Sequence, residues 1–285
     1  MRSLLLLFLA APVWAQQSPP STDIWLTPWP PKDGEAKNLT DRPGYDNQPS
    51  FTLDGAHLLY TSFRDGQTDT YRFELASGAI TPVTQTAESE YSPTIMPDGS
   101  AFSVVRIEED GTTRLWAFTL DGQIPVLVLP DVQPVGYHSW VDGNTVVLYL
   151  QGTPPTLRVA DSKTGRATPD TVAFSVGRSL NKVPGRRAVS FVDQSDSTTW
   201  LIRTLDLDTR EIEEVAPTLP GRDYFTYRPH GTILMASGAS IFEWNARRKR
   251  WDRQADFSTY GITNITRLSS SPDGRFLSFV ADRTP

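Results

Sequence analysis

The sequence predicts an all-β fold, a six-bladed β-propeller of four-stranded antiparallel blades. One turn phrase returns six times at a nearly constant period, and alternating apolar runs flank each turn. No apolar stretch of helical period and length competes with that pattern.

The phrases "DNQPSFTLDG", "EYSPTIMPDG", "VGYHSWVDG", "GRSLNKVPG", "RDYFTYRPHG" and "ITRLSSSPDG" end at Gly55, Gly99, Gly143, Gly185, Gly231 and Gly274. Their spacings are 44, 44, 42, 46 and 43 residues. In the first unit the turn leads into an alternating run over 58–62, and a second turn leads into another over 69–73. Ser77-Gly78 then introduces a last strand. Asp-Gly between alternating apolar residues is a strong hairpin signal, because Gly accepts positive φ and Asp caps the turn. Four strands of about five residues, with their turns, use about 40 residues, which is one propeller blade. Trp116, Trp140, Trp200, Trp244 and Tyr60 suit the wide spaces between blades.

An open ring would leave two exposed sheet edges. The last unit holds only two strands, whereas "TDIWLTPWPPKDGEAKNLTD" near the start has no blade of its own. Residues 23–27 read as a third strand and 36–40 as a fourth, pairing with 276–281 to close the ring.

Ahead of these strands, Arg2, the apolar residues 4–9 and the Val13-Trp14-Ala15 step form a cleavable signal peptide over 1–15. Residues 16–285 are then one propeller domain in the periplasm or secreted. The leader's apolar run is about ten residues, against about 20 needed to span a bilayer, so no membrane span is expected. Without the leader, 26 basic and 33 acidic residues leave a charge of −7. That balance argues against nucleic acid, whose phosphates need a basic face. The chain has no cysteine, so its stability comes from buried area. It is expected to be a monomer.

The stretch "QPSFTLDGAHLLYTSFRDGQTDTYRFELASG" resembles the propeller repeats of the TolB-like superfamily, with their Pro-x-Phe-x-x-Asp-Gly opening, Ser-x-Arg-Asp-Gly hairpin and Asp-x-Tyr strand. The first two blades and the start of the last carry the match. In the fourth and fifth, Pro184-Gly185 and His230-Gly231 have lost the turn acid. The resemblance implies an isolated propeller without the N-terminal α/β domain of TolB, and protein contacts made by one propeller face.

The sequence has no Gly-x-Ser-x-Gly elbow, no His-Glu-x-x-His and no Gly-rich phosphate loop. Of the three histidines, His57 falls in a turn, His230 replaces a turn Asp, and His138 falls near the axis. Asp54, Asp98, Asp142 and Asp273 belong to separate blades, where each caps its own turn in preference to holding a metal. Asp65 and Asp69 are a weak cation pair. No catalytic residue, metal or cofactor is assigned.

The residues leading into each innermost strand rim one face of the ring. They are Asp46 and Asn47, Glu90 and Tyr91, Tyr137 and His138, Arg178 and Ser179, Asp223 and Tyr224, and Thr266 and Arg267. Tyr and Arg dominate binding hot spots, and convergent polar and aromatic groups suit a ligand. Three readings stay open for this rim: a structural salt-bridge ring, a dock for an envelope or secreted protein, and a site for a small ligand or glycan. The leading function is a noncatalytic, exported interaction module of the cell envelope. The rival is a glycan- or lactone-directed hydrolase or lyase using Asp46 and Glu90.

Overall fold

The computed structural model describes residues 19–31, 35–168 and 170–283, which form six sheets around one axis. The signal peptide assigned to 1–15 lies outside the described residues. Blade 1 comprises Asp46–Phe51, His57–Arg64, Gln67–Glu74 and Ile80–Pro82, in that order from axis to rim. Blades 2, 4 and 5 repeat the plan, opening at Ser89–Ile95, Val176–Lys182 and Phe225–Tyr227. In blade 3, which opens at Val135–Trp140, two short segments share the outermost position, Arg166–Ala167 and Ala173–Phe174.

Blade 6 is built from both ends of the chain. Ile265–Ser270 and Phe276–Asp282 are its inner strands, and Thr22–Pro28 and Lys37–Asn38 complete it. The seam runs in unbroken antiparallel register from Thr22 opposite Asp282 to Pro28 opposite Phe276. Arg283 reinforces it by donating to the Asp23 carboxylate at 3.0 Å and to Asp41 at 3.2 Å. The closing strands thus fall where the sequence placed them, although the outermost is only Lys37–Asn38.

The turn acids do what their chemistry suggests. Asp54, Asp98 and Asp273 accept backbone N–H bonds from Ala56, Ser100 and Arg275 at 2.9, 3.0 and 3.0 Å. Asp142 accepts two, from Asn144 and Thr145. These bonds favour the ionised carboxylate, and each of the four has a lowered pKa. Asp69 accepts from Gln67 Nε2 at 3.1 Å and from the Thr86 N–H at 3.4 Å.

Between blades the core is aliphatic and aromatic, with Tyr60, Phe102, Phe118, Phe191, Phe257 and Phe279 among its largest fully buried side chains. Trp140 is buried, and Trp116, Trp200 and Trp244 lie partly buried against neighbouring clusters. The basic run at 246–250 forms the exposed hairpin between the two outer strands of blade 5.

Candidate functional site: the axial mouth

Five of the six innermost strands carry a break in register near the same end of the axis. It falls between Asn47 and Ser50, Tyr91 and Thr94, Val135 and Tyr137, Val176 and Leu180, and Ile265 and Leu268. Such bulges bend a strand and re-aim the side chains that flank them. Gln48 and Ser92 occupy the bulges of blades 1 and 2 with φ of 60° and 56°.

This geometry sorts the residues expected at the rim into two groups. Asp46, Asn47, Glu90 and His138 are buried in the walls. Asp46 accepts from Arg42 Nη2 at 3.0 Å and Ser62 Oγ at 2.6 Å. Asn47 Nδ2 donates to Thr22 Oγ1. Glu90 accepts from Thr84 Oγ1 at 2.5 Å and Thr86 Oγ1 at 2.8 Å. In blades 1 and 2 the positions facing the cavity therefore begin at Gln48 and Ser92, each two residues beyond the expected acid.

His138 Nε2 lies 2.6 Å from Ser103 Oγ, which also accepts from Trp140 Nε1 at 2.8 Å. That resembles a nucleophile and its base, but Ser103 is fully buried and, among the described residues, no carboxylate bonds His138. Burial lowers the His138 pKa to about 3, so the imidazole stays neutral. The pair ties blade 2 to blade 3. His57 opens the second strand of blade 1 opposite Glu74 instead of lying in a turn.

The second group converges. Arg267 Nη2 donates to Tyr224 Oη at 2.9 Å and to Tyr137 Oη at 3.2 Å. Its guanidinium carbon lies 4.2 Å from the Tyr224 ring centre and 5.1 Å from that of Tyr137. Cations over aromatic faces are attracted by the ring quadrupole. Burial works against the Arg267 cation, the tyrosines around it outweigh that, and its pKa is raised. Tyr45 feels Arg267, Tyr137, Tyr91 and Tyr224, and burial pushes its phenol well above the usual range. Tyr149 stacks edge-on against Tyr137 at 5.5 Å. Gly136 makes room for that ring, since a Cβ there would lie 2.8 Å from Tyr149 Cδ1. Arg178 is exposed, and the Asp223 carboxylate accepts its backbone N–H at 3.3 Å.

These groups surround two neighbouring features that share Gln48, Tyr137 and Arg178 as walls. An axial cavity of about 250 Å³ is lined from all six blades, with Gln48, Ser92, Tyr137, Arg178, Tyr224 and Arg267 among its walls. Beside it, a hollow of about 510 Å³ is lined by Tyr45, Tyr91, Tyr137, Tyr149, Gln151 and Arg178. Tyr45 and Tyr149 were not legible as site residues. Tyr45 precedes the bulged strand by one residue, and Tyr149 belongs to the second strand of its blade.

Fold and mouth together define a six-bladed propeller of TolB-like fold with an aromatic, arginine-bearing axial opening. Among solved structures the chain is similar to a putative TolB from Agrobacterium tumefaciens, at a TM-score of 0.73 and 15% identity over 94% of this chain and 100% of that one. It is also similar to TolB from Acinetobacter baumannii, with a TM-score of 0.60 and 15% identity over 93% of this chain and 64% of that one. An oligogalacturonate lyase in complex with manganese aligns at a TM-score of 0.60 and 16% identity, over 87% of this chain and 80% of that one. At these identities the likeness is one of fold. No protein-family model matches the sequence, and no curated protein matches it. Among the described residues, no three His, Cys, Asp or Glu side chains gather where they could hold a metal ion. No helix among them is long and apolar enough to cross a membrane.

Proposed function

We propose that this chain is a noncatalytic binding module of the cell envelope, exported by its leader, that docks a protein partner at the axial mouth. The supporting observation is the gathering of Tyr45, Tyr91, Tyr137, Tyr149 and Tyr224 with Arg178 and Arg267 around the axial cavity and the hollow beside it. Tyr offers large contact area with few rotatable bonds, and Tyr and Arg are enriched among the few residues that carry most of the energy in protein interfaces. The glycan-directed hydrolase or lyase has less support here. The two acids it would use, Asp46 and Glu90, are buried and engaged by Arg42, Ser62, Thr84 and Thr86.

The test is chemical cross-linking in envelope extracts with the Tyr137→Ala, Arg178→Ala double variant. Neither side chain is fully buried, so the fold is expected to persist. Capture of the wild-type protein's main cross-linked partner is expected to fall about tenfold, the loss of about 1.4 kcal/mol of contact. Unchanged capture by a folded double variant would move the interface to another surface.

A further inference from the structure

The charge around the axis is opposite to that of the molecule. The whole chain has a formal net charge of −6, yet the charged side chains lining the axial cavity are Arg178, Lys182 and Arg267, with no Asp or Glu among its walls. The adjoining hollow also lacks an acidic wall residue. Asp223 adjoins this group outside the walls, where its carboxylate accepts the Arg178 backbone N–H and acts on the Arg178 charge. Elsewhere arginines find carboxylates readily, as Arg42 does with Asp46, Arg114 with Glu108 and Arg187 with Asp142 and Asp208. Among the described residues, Arg267 has no carboxylate within ion-pair distance.

Placing a partly buried guanidinium without a counter-charge costs free energy, and proteins ordinarily offset that cost with an ion pair or a ligand. The bonds Arg267 does make leave its binding capacity open. Both of the hydrogen bonds it makes to described residues leave from Nη2 and end on phenol oxygens, so among the described residues the N–H groups of Nε and Nη1 meet no acceptor. Tyr137 and Tyr224, each accepting from Arg267, keep their own O–H protons free to donate. A planar fork of N–H donors beside two O–H donors matches an oxyanion in charge and shape. A low-dielectric well lined by one sign of charge also raises the local concentration of the opposite sign.

We propose that the axial cavity is a receptor for a carboxylate group, which Arg267 and the hydroxyls of Tyr137 and Tyr224 bind inside the channel while Arg178 at the mouth and Lys182 farther along the same strand attract it. This rests on the binding role given to the mouth and specifies the chemistry that enters it. The aromatic walls suit a carboxylate carried on a ring, either a sugar acid or an aromatic residue at a peptide terminus.

Calorimetric titrations of the intact protein with D-glucuronate and with N-acetyl-tryptophan separate these two sources. D-glucose and N-acetyl-tryptophan amide are the uncharged controls, and inorganic phosphate is a competing anion. At least one carboxylate probe is expected to bind with a Kd on the order of 1 mM, at least tenfold more tightly than its uncharged control. Arg267→Gln is expected to weaken that binding about tenfold or more, and Arg248→Gln, on the outer hairpin, to leave it unchanged. Should Arg267→Gln not fold, Arg178→Gln serves instead, with an expected loss of about threefold that diminishes as salt is raised. The inference is overturned if neither carboxylate outbinds its control, if phosphate alone binds, or if the arginine variants bind like the wild type. Retained partner capture with no carboxylate binding would overturn this inference and leave the docking role standing.

Discussion

Ile24→Asp is expected to abolish cooperative unfolding or lower the melting temperature far more than any surface change. Ile24 is fully buried in the strand that closes the ring, opposite Val280, and packs among Leu39, Phe51, Leu58, Tyr60, Tyr71 and Phe73. Those partners span blades 6 and 1, so the side chain fastens the seam as well as the sheet. Removing a buried Ile side chain costs about 2–5 kcal/mol, and an unpaired carboxyl in its place adds roughly 1–3 kcal/mol or more. A domain has only about 5–15 kcal/mol to lose. Lys37→Asp, an exposed change on the neighbouring strand, is expected to stay within about 0.5 kcal/mol. Denaturant unfolding of both variants checks this. An Ile24→Asp protein as stable as Lys37→Asp would mean that the N-terminal strand contributes little to closure.

The second large effect concerns pH. Glu90 is fully buried, and burial outweighs its bonds from Thr84 and Thr86. Asp69 pushes in the same direction as burial and Arg106 against it, and the result is a pKa of about 7 in place of 4.5. The folded protein thus holds this proton more tightly than the unfolded chain does. Its contribution is complete below about pH 4.5 and is lost as pH rises through about 7. A shift of that size corresponds to about 3 kcal/mol. Glu90→Gln keeps the shape and hydrogen-bonding reach without the charge. It is expected to flatten the dependence between those pH values and to be the more stable protein at pH 8. Melting curves across that range decide it, and equal slopes in both proteins would remove Glu90 as the cause.

Much of the architecture was legible because it is written in local chemistry. Asp54 and Gly55, Asp98 and Gly99, and Asp273 and Gly274 make the same turn, with glycine φ of 69°, 72° and 71°. Counting those turns gives the blades, and the sheet edges left over give the closing strands. The mouth was only partly legible, because a bulge adds a residue without a composition signal of its own. A strict repeat places Asp46 and Glu90 in register with Tyr137 and Arg178. The observed breaks turn those acids into the wall and bring Gln48 and Ser92 to the cavity. Tyr149 arrives from a second strand through the space at Gly136, a contact between strands that spacing along the chain does not encode.

The most direct test of the binding role is residue-specific photo-cross-linking inside living cells, with the photoreactive side chain placed at Tyr91 or at Arg248. Tyr91 lines the hollow beside the axis, and Arg248 is exposed on the outer hairpin of blade 5. Attachment of one discrete envelope protein through position 91, but not through position 248, is the result this account predicts. Attachment of that protein through position 248 alone would contradict it.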